Sequence, residues 1–178
     1  MNYTILSMKD IEPFSKETVV FREKLIKYAS ENNIDMELVS YKNTVSNTAL
    51  SVSTSGWDID KVVKTILAKD KKGKLFAVII GGKYRVDLSR IRKRYDTSRL
   101  SLLSADEVIL RSGFPAGGVP PFGFDAEFCL DTSLLEQNVV MAGGGDTLSL
   151  MKIRVSEIIR AVSPDIFDTK LSEPIIKD

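Results

Sequence analysis

The sequence predicts a mixed α/β fold in a single domain, and three observations lead to this prediction. The chain has 178 residues, of which 43% are hydrophobic and 28% charged, as in an ordinary globular domain. Short apolar runs bounded by turn residues predict strands. Apolar residues at helical spacing, placed after capping residues, predict three or four helices. A chain of this length buries about 70% of its unfolded surface, so its core needs no disulfide or metal.

The first elements are a helix, a short strand and a polar loop. Ser15 is a candidate N-cap for a helix that extends to about Asn32, because apolar residues recur there at helical spacing. Residues 36–41 predict a short strand. The stretch 43–56 is rich in Ser, Thr and Asn, which predicts a loop with one short helix near residues 48–52.

A β-hairpin with a lysine inside its first strand is predicted next. Residues 62–67 and 75–80 are apolar runs on either side of the turn Lys71-Lys72-Gly73-Lys74. Lys64 has apolar residues two positions away on both sides, and therefore shares a face with core-type residues. Such a lysine either extends to the edge of the sheet or points into a cavity, and the strand pattern leaves both alternatives open.

The second half alternates helices and strands around glycine-rich turns. Residues 88–95 predict a basic helix, and Ser104 to Glu107 form a capping box for a helix that ends at Gly113, with Val108 and Ile109 facing the core. Three strands and a last helix are predicted, in order, at 126–130, 139–142, 147–153 and 155–162. The residues from 165 onward form a polar tail.

The composition restricts the chemistry that this chain can perform. The sequence has no His and one Cys, which excludes catalytic triads with His, imidazole bases, His-ligated metals and a structural zinc site. Catalysis must therefore use Lys, carboxylates, hydroxyls, backbone amides or the substrate itself, and we expect no cofactor and no metal. The single Cys, the absence of a long apolar run and the lack of a charged leader predict a cytoplasmic protein.

The charge is distributed unevenly although the net charge is +1. Residues 61–111 contain 14 basic and 5 acidic side chains, a net charge of +9, and the rest of the chain has a net charge of −8. Such segregation indicates either a surface for a polyanion or a solvated face. The helix residues Arg90, Arg92, Lys93 and Arg94 are the best candidates for contact with phosphates.

Residues 113–123 form the segment richest in turn residues. Its glycines allow a ligand to approach the backbone and leave amide N–H groups free to donate. Pro120 and Pro121 stiffen the loop, as preorganised donors require. The alternative is a tight connection without function. Gly143-Gly144-Gly145-Asp146 lacks a phosphate-loop pattern, and we interpret it as a turn between strands.

Taken in order, several segments resemble the YbaK/prolyl-tRNA-synthetase insertion-domain family of aminoacyl-tRNA deacylases. The matching segments are Thr48, Val63-Lys64-Thr65-Ile66-Leu67, the strand 76–80, Arg85-Val86-Asp87-Leu88, Gly117-Gly118-Val119-Pro120-Pro121-Phe122-Gly123 and Ala142-Gly143-Gly144-Gly145-Asp146-Thr147-Leu148. The resemblance implies a mixed, partly barrel-like β-sheet flanked by helices. It divides the chain into an N-terminal extension and helix (1–33), an editing domain (34–163) and a C-terminal tail (164–178).

The same resemblance implies the site residues. Lys64 matches the functional lysine of the family, and the backbone amides of Gly117 and Gly118 are the expected oxyanion donors. The expected substrate-binding residues are Thr48, Pro121, Asp146 and Thr147. At the position near Thr147, members of the family carry different polar residues, such as Asp or His, so the substrate preference does not follow from the resemblance.

The implied function is trans-editing, in which a small amino acid such as Ala, Ser or Cys is hydrolysed from a tRNA that carries it wrongly. The partner would be tRNA, bound through its aminoacylated end and through phosphates at the four basic residues of the helix 88–95. The protein would act either free-standing or docked on an aminoacyl-tRNA synthetase, and no membrane is expected. One alternative is a non-catalytic module, associated with a synthetase, that binds tRNA or an aminoacyl adenylate in the same pocket. Another is a plain nucleic-acid-binding protein, which depends on the basic segment alone.

Overall fold

A computed structural model describes residues 15–171, which form five helices and eight strands. The helices are α1 (Lys16–Glu31), α2 (Thr48–Ser55), α3 (Leu88–Arg94), α4 (Ala105–Ser112) and α5 (Val155–Val162). The strands are β1 (Met36–Ser40), β2 (Val63–Lys69), β3 (Leu75–Gly81), β4 (Ser101–Leu102), β5 (Glu127–Asp131), β6 (Val139–Gly143), β7 (Ser149–Arg154) and β8 (Asp165–Phe167). The predicted extension before residue 15 and the end of the tail after residue 171 lie outside the described residues.

The strands form two sheets, which confirms the mixed α/β prediction. An antiparallel sheet has the order β1-β7-β6, and a mixed sheet has the order β4-β2-β3-β5-β8. In the mixed sheet, β3 and β5 pair in parallel, as do β5 and β8, and the other pairs are antiparallel. Among residues 15–171 neither sheet closes into a barrel. A single bridge between Val62 and Met141 joins the start of β2 to β6, so the two sheets meet where β2 begins.

Local sequence signals set the ends of the helices. Ser15 caps α1 by accepting a hydrogen bond from the Thr18 amide. Ser104 and Glu107 form the capping box of α4, which ends at Gly113 with a φ of +73°. Glycine adopts this left-handed conformation without strain. The predicted limits of these helices therefore agree with the structure.

Three apolar clusters hold the sheets and helices together. The largest lies between the inner faces of both sheets and includes Leu25 and Ala29 of α1 and Ile158 of α5. The second packs α3 on the opposite face of the mixed sheet and contains Cys129. Burial raises the pKa of the Cys129 thiol to about 11, as expected of a structural cysteine. The third packs Trp57 and part of α2 against the antiparallel sheet.

Besides the short strand β4, which the sequence does not predict, two details differ from the predictions. The tail is not only polar, because residues 165–167 form β8 beside β5. Ile109, predicted to face the core, is 43% exposed, because α4 turns Val108 inward and the next residue on a helix lies about 100° away. Among residues 15–171, no helix is long and apolar enough to span a membrane.

Candidate active site

A cavity of about 270 Å³ lies beside the start of β2, near the junction of the two sheets. Three of the predicted site residues, Thr48, Lys64 and Gly117, line it together. They come from the start of α2, from β2 and from the loop after α4. Gly143, the last residue of β6, also lies in the wall. The fold therefore brings distant parts of the sequence to one place.

Lys64 is half-buried in this cavity. Its ammonium donates a hydrogen bond to the Gly82 carbonyl at 2.9 Å, which leaves two of its three N–H donors for a ligand. Burial lowers the pKa of Lys64 below that of a free lysine, and the charge of Arg85 lowers it further. Of the two alternatives for this lysine, the structure has the side chain lining the cavity.

The Gly82 carbonyl connects Lys64 to Thr48. The Thr48 hydroxyl also donates to this carbonyl, at 3.0 Å, so both side chains are held at one backbone oxygen. A Cβ atom at Gly82 would lie 2.7 Å from the Thr48 side chain, which explains the need for glycine. Sequence reasoning missed Gly82. The available signal was the Gly81-Gly82 pair directly after a buried strand.

The loop after α4 presents Gly117 to the cavity. Gly117 has a φ of +85°, and a Cβ atom there would lie 2.3 Å from the Ser46 carbonyl oxygen. The Gly118 N–H is already bound to the Pro115 carbonyl at 2.9 Å. Within residues 15–171, the Gly117 N–H has no hydrogen-bond partner. Pro121 is buried and is absent from the cavity lining.

Asp146 and Thr147, expected to bind substrate, are not part of the lining formed by the described residues. The Asp146 carboxylate is buried and accepts hydrogen bonds from Arg22, from Ser149 and from the Leu148 amide. The Thr147 carbonyl accepts a hydrogen bond from the Val45 amide at 2.8 Å. Both residues therefore fix segments that border the cavity. A substrate contact from either remains a prediction.

The basic helix α3 is partly neutralised. Arg90 forms ion pairs with Asp87 and Asp168, and Arg94 forms one with Asp165. Arg92 and Lys93 are exposed and form no ion pair within residues 15–171. The four residues predicted to contact tRNA therefore have two different environments.

The cavity combines polar donors with apolar walls. Lys64 and the Gly117 N–H can donate to a developing oxyanion, and the Thr48 hydroxyl can also accept. Val62 and Val119 supply apolar surface. In the described part of the chain, no group of three or more Cys, Asp or Glu side chains is placed to hold a metal ion. The arrangement suits a small ligand that has a carbonyl and hydroxyl groups.

Comparison with known proteins gives consistent results. The family model for aminoacyl-tRNA editing domains matches residues 42–161. YwhH of Bacillus subtilis (strain 168), a protein described as uncharacterized, is 22% identical over 128 residues, which cover 71% of this chain and 81% of YwhH. The crystal structure of hypothetical protein APE2540 aligns with a TM-score of 0.77 at 24% identity and covers 83% of this chain and 99% of that one. A candidate trans-editing enzyme for prolyl-tRNA synthetase aligns with a TM-score of 0.75 at 22% identity, with 90% and 100% coverage.

Proposed function

Because this chain belongs to the aminoacyl-tRNA editing domain family, we propose that it hydrolyses the ester bond of a mischarged aminoacyl-tRNA in the cavity around Lys64. The observation that carries the proposal is the convergence of the Lys64 ammonium, the Thr48 hydroxyl and the Gly117 backbone in one cavity. The amino acid enters this cavity, and the tRNA body stays outside it. An aminoacyl ester is an activated bond, so positioning and charge stabilisation contribute most of the catalysis.

The residues have separate roles in the proposed reaction. Water attacks the carbonyl carbon, the ester C–O bond breaks, and the terminal ribose leaves as a hydroxyl after gaining a proton. The Gly117 N–H donates to the oxyanion, and Lys64 stabilises the same charge or orients the ribose. The adjacent ribose hydroxyl of the substrate assists the water, since the chain has no His to act as a base. Gly118 stabilises the loop and does not donate to the oxyanion, because its N–H is bound to the Pro115 carbonyl.

The apolar walls of the cavity support a small amino acid such as Ala, Ser or Cys as the substrate. Discrimination by one methylene contributes only about 1–3 kcal/mol, so synthetases mischarge near-isosteres and need a second sieve. Val62, Ile66 and Val119 supply small apolar walls for such a sieve. The tRNA that carries the wrong amino acid is one partner, and a synthetase on which the protein docks is a second.

The test is release of Ala, Ser, Cys, Thr, Pro and Phe from mischarged tRNAs at equal enzyme concentration. We expect fastest release of Ala or Ser, and Lys64→Ala lowers kcat/KM by about 100-fold or more. The matched control is Lys61→Ala, an exposed lysine three residues away. Both variants should keep the wild-type Tm, because neither lysine forms an ion pair within residues 15–171.

Two results would contradict the proposal. Wild-type turnover by folded Lys64→Ala would remove the lysine from the mechanism. Tight binding of mischarged tRNA without release of any amino acid would favour a non-catalytic binding module. Preferential release of Phe would overturn the small-pocket assignment alone.

A further inference from the structure

A second basic surface lies at the opposite end of the β2–β3 hairpin from Lys64. It consists of Lys71 and Lys72 in the hairpin turn, Arg92 at the end of α3 and Arg99 just after it, and we name it the turn patch. All four side chains are exposed. None of them forms an ion pair with a carboxylate in residues 15–171. Their charges are therefore available to a partner.

Hydrogen bonds hold the parts of the turn patch together. The Lys71 amide donates to the Ser98 hydroxyl at 3.0 Å. The Thr97 hydroxyl donates to Asp70 at 2.8 Å, and the Thr97 amide donates to the Arg92 carbonyl at 3.1 Å. The hairpin turn, the segment after α3 and the last turn of α3 are thus one surface rather than three separate loops.

Helix geometry separates the turn patch from the paired arginines of α3. Arg90 and Arg94 lie one turn apart on the flank that contacts Asp168 and Asp165. Arg92 lies about 160° around the helix from each of them, since each residue rotates by about 100°. The paired flank faces β8, which lies at one edge of the sheet. The Arg92 carbonyl accepts a hydrogen bond from the Thr97 amide, and the Thr97 hydroxyl donates to Asp70 in the hairpin turn. Arg92 therefore belongs with the turn.

The nearby acidic residues, Asp70 and Asp96, cancel only part of this charge. Asp70 is buried and accepts hydrogen bonds from the Thr97 hydroxyl and from the amides of Lys72 and Lys74. The hydrogen bond from Thr97 lowers the pKa of Asp70, so this carboxylate is committed to the turn. Between residues 92 and 99 the exposed acid is Asp96. Four basic side chains thus face solvent with one exposed carboxylate among them.

The position of the turn patch identifies its partner. Lys71 lies two residues beyond the end of β2, and the part of β2 from Lys64 to Lys69 spans about 17 Å at the rise of a β-strand. We propose that the turn patch binds backbone phosphates of the tRNA body while the aminoacylated end occupies the cavity, an inference that rests on the proposed function. Unpaired, exposed Lys and Arg side chains contact phosphates without reading sequence. The patch would therefore add affinity for tRNA and leave the amino acid preference unchanged.

The experiment compares two charge-reversal variants that change the net charge equally. One carries Lys71→Glu, Lys72→Glu and Arg99→Glu, and the control carries Lys16→Glu, Lys27→Glu and Lys152→Glu, all exposed residues on other surfaces. Affinity for uncharged tRNA is measured against salt concentration. We expect the slope of log K against log salt to fall by about 2 to 3 in the patch variant, about one per lost phosphate contact. The control should keep the wild-type slope.

Kinetics with mischarged tRNA separate this inference from the proposed function. The patch variant should have a higher KM than the wild type and the same kcat. The neutral variant with Lys71→Gln, Lys72→Gln and Arg99→Gln should have a smaller rise in KM, also without a change in kcat. Equal affinity loss in patch and control variants, or none in either, would overturn the inference. Absence of turnover in the wild type, with the loss of affinity still confined to the patch variant, would overturn the proposed function alone.

Discussion

At the residue scale, Gly117 has two reasons to be glycine. Its φ of +85° is costly for other residues, and a Cβ atom would lie 2.3 Å from the Ser46 carbonyl oxygen. Gly73 has a similar φ of +83° in the hairpin turn but no atom within 4 Å of its Cβ position. Substitutions at the two positions can therefore be compared to separate the effect of backbone strain, which both share, from the effect of crowding at the cavity, which only Gly117 has.

We predict that Gly117→Ala lowers kcat/KM by about 100-fold, because the loop must shift and its free N–H moves away from the oxyanion. Gly73→Ala should cost about 1–2 kcal/mol in the free energy of unfolding, from the positive φ alone, and should leave kcat unchanged. Deacylation kinetics and urea unfolding measure both effects. Equal activity in the two variants would mean that the loop is a connector.

The residue scale also shows how far the sequence predicts the site. The alternation of faces along a strand allows the Lys64 side chain either to extend to the edge of the sheet or to point into a cavity. In the structure the side chain lines the cavity. The carbonyl that anchors Lys64 belongs to Gly82, 18 residues away, and no local pattern identifies that contact. The engaged N–H of Gly118 depends on the turn that brings Pro115 near. Tertiary hydrogen bonds of this kind cannot be derived from composition or spacing.

At the element scale, α1 supports the site although it precedes the residues 42–161 that match the family. Arg22 of α1 contacts Asp146 at 3.2 Å and Ser149 at 2.9 Å. The neighbouring Gly145 amide donates to the Gly118 carbonyl at 2.9 Å. A chain of contacts therefore extends from α1 through the β6–β7 turn to the loop that carries Gly117.

We predict that Arg22→Ala lowers the free energy of unfolding by about 3 kcal/mol, because it leaves the buried carboxylate of Asp146 without its cation. It should also lower kcat more than it raises KM, since the Gly117 loop loses support. The matched control is Lys27→Ala, on the same helix, whose partner Glu31 is exposed. Lys27→Ala should change the free energy of unfolding by no more than about 0.5 kcal/mol. A loss of stability without any change in kcat would limit α1 to a structural role.

The elements with strong local signals were predicted, and the shortest were not. Capping residues and the hairpin turn specify α1, α4, β2 and β3. By contrast, β4 has two residues, both exposed, and β8 has three half-buried ones. Both lie at the edges of the mixed sheet, where pairing with a neighbouring strand, and not an apolar run, creates the strand.

At the scale of the whole molecule, the basic and acidic segments that are separate in the sequence lie partly side by side in the fold. Part of the basic segment is neutralised by the acidic residues that follow it, since Asp165 and Asp168 pair with Arg94 and Arg90. The sequence predicted a basic surface but not this pairing, which depends on β8 lying beside β5. The acidic segment 165–169 is anchored by Asp131, whose buried carboxylate accepts hydrogen bonds from the amide and the hydroxyl of Thr169.

The C-terminal segment should therefore limit how strongly α3 attracts RNA. Each of these exposed ion pairs contributes only about 0–1 kcal/mol to stability. Removing the two carboxylates therefore frees Arg94 and leaves Arg90 paired with Asp87 alone, at little cost to the fold. We predict that Asp165→Asn with Asp168→Asn strengthens tRNA binding at low salt and steepens the slope of log K against log salt by about 1 to 2.

The control is Asp106→Asn with Asp125→Asn, two exposed acids that form no ion pair within residues 15–171 and that change the net charge equally. Binding titrations at several salt concentrations distinguish the two variants. An equal gain in both would show that only net charge matters, and a gain confined to the first would show that phosphates and these carboxylates compete for the same two side chains.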